Sequence, residues 1–137
     1  MNHIGFKRRR KNYKQGIIEF NKKAIADLEP NQAEVNFSVF ARNDMNEVIG
    51  GVRCTCYWNT LHIEVLWLSK SCRGQGIVNK LVKQAELFAI ENGCEKAFVE
   101  TTSWQAKPFY EKAGYEHVAT LPDRPKGHAS QYLTKML

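Results

Sequence analysis

With 137 residues and a formal net charge of +6, the chain is long enough for one substantial core and too short for two. Its 43% hydrophobic and 25% charged residues are those of an ordinary globular protein. No stretch approaches the ~20 apolar residues of a membrane span, and no apolar run follows the basic start as a secretory signal requires. One domain over residues 1–137 is expected, in the cytoplasm and without a membrane partner.

The four cysteines agree with a reducing compartment. Cys54 and Cys56 share one face of a strand, Cys72 sits in a glycine turn and Cys94 follows a helix end. None makes a C-x-x-C pair or a His/Cys cluster of zinc spacing, so no metal is expected. The positive charge is concentrated in Lys7, Arg8, Arg9, Arg10, Lys11 and Lys14, with no acid before Glu19. Residues 1–12 are therefore expected to form a basic, flexible end. Contact with a nucleic acid or an acidic partner is the sharper alternative, and the solvated reading outweighs it.

In chain order, Ile17, Phe20, Ala24, Ile25 and Leu28 predict a helix over Tyr13 to Leu28, stopped before Pro30. Val35, Phe37, Val39 and Ala41 alternate with polar residues as in a half-buried strand. The polar stretch Arg42 to Glu47 reads as a hairpin loop returning into a strand over Val48 to Tyr57, where Gly50-Gly51 marks a bulge or a close backbone approach. After a turn at Trp58 to Thr60, Leu61 to Leu68 is a third strand. Strict alternation there places His62, Glu64, Leu66 and Leu68 on one face and Leu61, Ile63, Val65 and Trp67 on the other.

Next comes Arg73-Gly74-Gln75-Gly76-Ile77, between that strand and a helix over Gly76 to Asn92. Ile77, Leu81, Ala85, Phe88 and Ala89 form its apolar face, and Gly93 stops it. Two glycines at a strand-to-helix turn let the backbone approach a ligand and leave N–H groups unpaired at the positive end of the helix. That arrangement suits an anion, most often a phosphate. Lys96 to Thr101 is a strand, Trp104 to Ala113 a short helix, and Tyr115 to Leu121 and Tyr132 to Leu137 two final strands. The order describes a mixed α/β domain around a central, mostly antiparallel sheet.

Three segments carry a resemblance. Leu66-Trp67-Leu68 followed by Ser71-Cys72-Arg73-Gly74-Gln75-Gly76 looks like the pyrophosphate-binding motif of the GNAT superfamily of acetyl-coenzyme A-dependent N-acetyltransferases. Thr101 to Ala106 follows the next strand at the family's spacing, and Phe109-Tyr110-Glu111-Lys112-Ala113-Gly114-Tyr115 is similar to its F-Y-E-K-x-G-F/Y signature. The tail Leu121 to His128 resembles a bacterial subgroup. Coverage runs from Val35 to Leu137. Ser71 stands where the family has Gln or Arg, and Ser103 where many members have Asn.

The resemblance implies the GNAT fold with splayed strands, and acetyl-coenzyme A as co-substrate. Leu66, Trp67 and Leu68 would supply backbone contacts to it, and Ser71, Cys72, Arg73, Gly74, Gln75, Gly76 and Ile77 would cradle its pyrophosphate. Ser103, Ala106, Phe109, Tyr110 and Lys112 would complete the coenzyme site. Tyr110 matches the tyrosine that protonates the departing thiolate. Glu64 or His62 is the candidate base, directly or through water, while Glu64 could instead anchor a cationic substrate and His62 could be a surface histidine. His128 reads as an ordinary loop residue.

Three functions are therefore in view: direct acetyl transfer to an amine in a ternary complex, coenzyme binding for regulation without useful turnover, and polyanion binding by the basic end. The first is favoured, with a small-molecule amine ahead of a protein amine as acceptor. A homodimer is expected only because dimers are common in the family.

Overall fold

The computed structural model describes residues 3–9, 34–102 and 106–137. Its strands are β1 (His3–Arg9), β2 (Val35–Arg42), β3 (Val48–Tyr57), β4 (Thr60–Leu68), β5 (Lys96–Thr101), β6 (Glu116–Pro122) and β7 (Ala129–Met136). The helices are α1 (Ile77–Glu91) and α2 (Ala106–Lys112), with a short 3-10 turn at Lys70–Cys72. The expected helix over Tyr13 to Leu28 lies outside the described residues, as do Ser103 and Trp104.

All seven strands belong to one sheet, in the order β1-β2-β3-β4-β5-β7-β6. The β4–β5 pair is parallel and the other neighbours are antiparallel. The parallel pair needs a long crossover, which α1 supplies. The basic start contributes a strand that the sequence pattern did not place. His3–Arg9 pairs with β2 from His3 opposite Arg42 to Arg9 opposite Asn36, so the backbone donors and acceptors that face β2 are used in a sheet ladder.

The helical period of α1 buries Ile77, Leu81, Val82, Ala85 and Ala89. Phe88 of α1 meets Phe37 of β2 with ring centroids 4.2 Å apart. The face beneath comprises Val35, Phe37, Val39 and Ala41 on β2, then Val52, Cys54 and Cys56 on β3, then Leu61 and Ile63 on β4, all buried. Fully burying such side chains contributes roughly 1.5–3 kcal/mol each, which makes this layer the main source of stability. Gly50 and Gly51 are explained by close approach. A Cβ on Gly50 would lie 2.8 Å from Leu68 Cδ1, and one on Gly51 3.2 Å from both Phe40 Cδ1 and Trp67 Nε1.

Strict alternation fails on β4, which changes the expected faces. The register runs from Arg53 opposite Val65 directly to Cys54 opposite Ile63, leaving Glu64 as an extra residue. A bulge of this kind shifts the pleat by one residue. Leu66 and Leu68, opposite Val52 and Gly50, therefore join Leu61 and Ile63 against the core instead of sharing a face with His62. Val65 and Trp67 are turned outward, 41% and 46% exposed.

Candidate active site

The bulge coincides with the place where the sheet opens. Pairing of β4 with β5 starts at Thr60 opposite Lys96 and ends at Ile63 opposite Val99. Beyond that point β4 continues to Leu68 and β5 to Thr101 without pairing to one another. Two strands that part leave a row of backbone N–H and C=O groups on β4 for another partner. A gap of about 730 Å³ opens here, bounded by Leu66, Trp67 and Leu68 on β4, by Ile77, Val78 and Asn79 at the start of α1, and by Ala106 and Phe109 on α2. Its size is that of a small-molecule or cofactor cleft.

The glycine turn forms the mouth of the gap, with Arg73, Gly74 and Gly76 in its lining. Gly74 has φ +82° and Gly76 φ +72°, the left-handed region that glycine adopts without strain. A Cβ on either would meet nothing within 4 Å, so both face open space. Gly76 is the N-cap of α1, its carbonyl accepts from Lys80 N at 3.3 Å, and the first turn carries no acidic residue. The N–H groups of that first turn thus point out of the helix at its positive end. Backbone donors, a helix dipole and an open apolar slot fit an acyl-coenzyme A: phosphates at the turn, and a long thin arm between the strands.

Of the residues singled out by the resemblance, Leu66, Trp67, Leu68, Arg73, Gly74, Gly76, Ile77, Ala106 and Phe109 line this gap. Ser71, Cys72, Gln75 and Lys112 are not among the residues that line it. Ser71 Oγ is bonded to Ser69 Oγ at 3.2 Å and lies 3.6 Å from Cys72 Sγ, within the 3-10 turn. Val78 and Asn79 line the gap and were missed. They are simply the next residues of a helix whose start was legible, and the first-turn N–H groups should have included them.

Tyr110, expected near the thioester, lies behind the lining of the gap. It is 2% exposed, packed edge-on against Phe109 at 5.1 Å and Tyr115 at 5.3 Å, and it is not among the lining residues. Burial, and secondarily the neighbouring Cys54, push its hydroxyl well above the usual tyrosine range. It therefore stays protonated and neutral. Tyr115 below it donates to Glu86 Oε2 at 2.8 Å, and Lys135 Nζ reaches both Glu86 oxygens at 3.1 Å. This network ties α1 to β7 and to the segment after α2. Cys54, Cys56 and Cys94 are buried and form no disulfide among the described residues, and a hydrogen bond with Cys94, followed by burial, pushes the Cys56 thiol up.

On the opposite face of the sheet, His62 stands between Thr55 on β3 and Phe98 on β5 in register. Its ring is 5.0 Å from Phe98, which stacks on Tyr132 at 5.9 Å. Thr55 Oγ1 lies 2.7 Å from Glu64 Oε1, so His62 and Glu64 do share a face. Arg124 bonds Tyr132 Oη at 2.9 Å and pairs with Glu100 at 3.2 Å, pinning the β6–β7 loop over the end of this face. His128 only closes that loop through its backbone.

A sheet that parts at its parallel pair, with a glycine cradle at the mouth of the gap, defines a coenzyme A-dependent acyltransferase. Residues 8–115 match the model of the Acetyltransferase (GNAT) family, and the chain belongs to that family. It is 36% identical over 111 residues to a blasticidin-S acetyltransferase of Streptomyces morookaense, covering 80% of this chain and 81% of that protein. An acetyltransferase structure from Bacillus cereus is similar with a TM-score of 0.78 and 30% identity, over 94% of this chain and 97% of that one. A GNAT family acetyltransferase from Elizabethkingia anophelis, solved with acetyl-coenzyme A bound, shares the fold at a TM-score of 0.68 and 17% identity, over 98% of each chain.

Proposed function

We propose that this chain transfers the acetyl group of acetyl-coenzyme A directly to a primary amine of a small cationic molecule, both substrates being bound together. The open glycine cradle at the mouth of the parted strands carries the reading. Acetyl-coenzyme A supplies an activated thioester; the protein supplies position, charge and exclusion of water. Holding the amine beside the thioester carbon can contribute up to ~7–11 kcal/mol in favourable intramolecular cases. The amine nitrogen bonds to that carbon, the C–S bond breaks, the thiolate leaves, and the ammonium proton passes to a base.

Glu64 is the base or the anchor for the amine's charge. Glu100 is held by Arg124 and Tyr132. His62 is the alternative base, acting directly or through water. Tyr110 assists the departing thiolate by hydrogen bonding. Its hydroxyl is held well above a thiol's ~8.5, so complete proton transfer from it runs uphill. Its help is therefore modest.

The reading is tested by calorimetric titration with acetyl-coenzyme A, followed by thiol release over an amine panel that includes blasticidin S. A Kd of about 100 μM or tighter together with turnover of one amine is expected. Tyr110→Phe should keep the affinity and slow turnover by about tenfold. Binding without transfer to any amine would make the chain a coenzyme-binding regulatory module, and a folded protein that binds no coenzyme would refute the proposal.

A further inference from the structure

Glu64 is the one residue of β4 that the register skip leaves opposite no residue of β3, and bulges commonly re-aim a side chain at a site. Its carboxylate is met by a short polar chain crossing two strands. Thr55 Oγ1 is 2.7 Å from Glu64 Oε1 and 2.8 Å from Asn36 Oδ1. Asn36 is 2% exposed and Thr55 7%, and they stand directly opposite one another on β2 and β3.

A hydroxyl has one proton to donate, so Thr55 cannot donate to both neighbours. An ionised carboxylate only accepts, which assigns the Thr55 proton to Glu64. Asn36 then satisfies Thr55 by turning its amide nitrogen toward Oγ1, since the two amide positions exchange by a flip of the side chain. In that arrangement Asn36 Nδ2–H donates to Thr55 Oγ1, and Thr55 Oγ1–H donates to Glu64. The reverse polarity would need a protonated Glu64. Apolar β-branched residues at 36 and 55 would fill two buried strand positions without the desolvation cost of polar side chains.

We propose that Asn36 and Thr55 are positioning residues that hold the Glu64 carboxylate ionised and aimed for its part in acetyl transfer. The proposal rests on the acetyltransferase reading above, with Glu64 as base or anchor. Other charged groups on this sheet face include His62 on β4, Arg53 on β3, and Lys96 and Glu100 on β5, and the β1 register sets Lys7 opposite Ser38 and Arg9 opposite Asn36. Tyr132 on β7 is titratable, and Arg124 from the β6–β7 loop reaches it and Glu100. Among the described residues, β2 contributes only Asn36, Ser38 and Phe40 to the face nearby. Thr55 donates to Glu64, whereas Glu100 pairs with Arg124.

The test is a carbon-13 titration of the Glu64 side-chain carboxyl in the full chain, assigned by the resonance lost in Glu64→Gln. Thr55→Val removes the donor at nearly constant volume and should move the titration midpoint upward by about one pH unit, the size of a lost charge-assisted hydrogen bond. Thr55→Ser should restore the wild-type midpoint. Asn36→Leu should move it in the same direction by less, and this variant carries the test if Thr55→Val does not fold. A wild-type midpoint in folded Thr55→Val or Asn36→Leu overturns the proposal. The measurement needs no acceptor. A shifted midpoint in a protein that acetylates nothing refutes the function and leaves the positioning chain, whereas turnover with an unshifted midpoint refutes the chain alone.

Discussion

Gly76→Ala separates backbone strain from ligand contact. Gly76 holds φ +72° and ψ +12° as the N-cap of α1. An alanine in that left-handed conformation costs roughly 1–2 kcal/mol, and nothing within 4 Å adds a clash. At an entropy of unfolding near 2.1 cal/mol/K per residue, that strain lowers Tm by about 3–7 °C for a chain of 137 residues. The strain is present with and without coenzyme, so it cancels from the affinity. What does not cancel is the new methyl group, which projects into the open space where phosphate oxygens would approach the first-turn N–H groups. Losing even one charge-assisted hydrogen bond of about 1.5–3 kcal/mol weakens binding tenfold or more.

Gly127→Ala is the matched control. Gly127 has φ +81° and equally open surroundings, but it lies in the β6–β7 turn away from the gap. Both variants should melt lower by similar amounts in calorimetry. Only Gly76→Ala should lose affinity for acetyl-coenzyme A in isothermal titration. Equal affinities in the two variants would remove the glycine turn from the coenzyme site.

Two further outcomes concern the network behind the gap. Lys135→Met leaves the Glu86 carboxylate, whose side chain is 11% exposed, with Tyr115 but without its cation, and should cost about 2–3 kcal/mol in urea unfolding. A loss below a few tenths would show the pair to be solvated and irrelevant. Tyr110 and Tyr115 are both pushed up, chiefly by burial, so the fold favours their neutral forms. Their contribution is complete below the unfolded tyrosine value of ~10 and is lost progressively as pH rises above it. Circular dichroism between pH 8 and 12 should show stability falling above pH ~10, and Tyr115→Phe should flatten that slope.

Much of the coenzyme site could be read along the chain because it is built from contiguous residues. The Gly74–Gly76 turn and the helix it opens are local signals of backbone conformation and periodicity, and the Phe109–Tyr115 segment was marked by its resemblance to the family signature. The alternation of β2 and the apolar face of α1 were legible for the same reason: a pleat or a helical turn repeats within one strand or helix. Such periodicity says which residues share a face while the repeat is unbroken.

What the tertiary structure decided lies where that condition fails. The bulge at Glu64 is a mismatch between two strands, and no pattern within Leu61 to Leu68 announces it. It nevertheless moves Leu66 and Leu68 to the core and marks the point where β4 leaves β5. His3–Arg9 became a strand because β2 offered a free edge, although its basic composition suggested a solvated end. Tyr110 became a buried, neutral hydroxyl because Cys54 and Tyr115 close around it, and burial is a property of neighbours distant in the chain. The Asn36–Thr55–Glu64 chain and the Glu86–Tyr115–Lys135 network likewise join residues on different elements. Local sequence determines the shapes available to each segment; the pairing of strands and the exclusion of water determine which side chains meet.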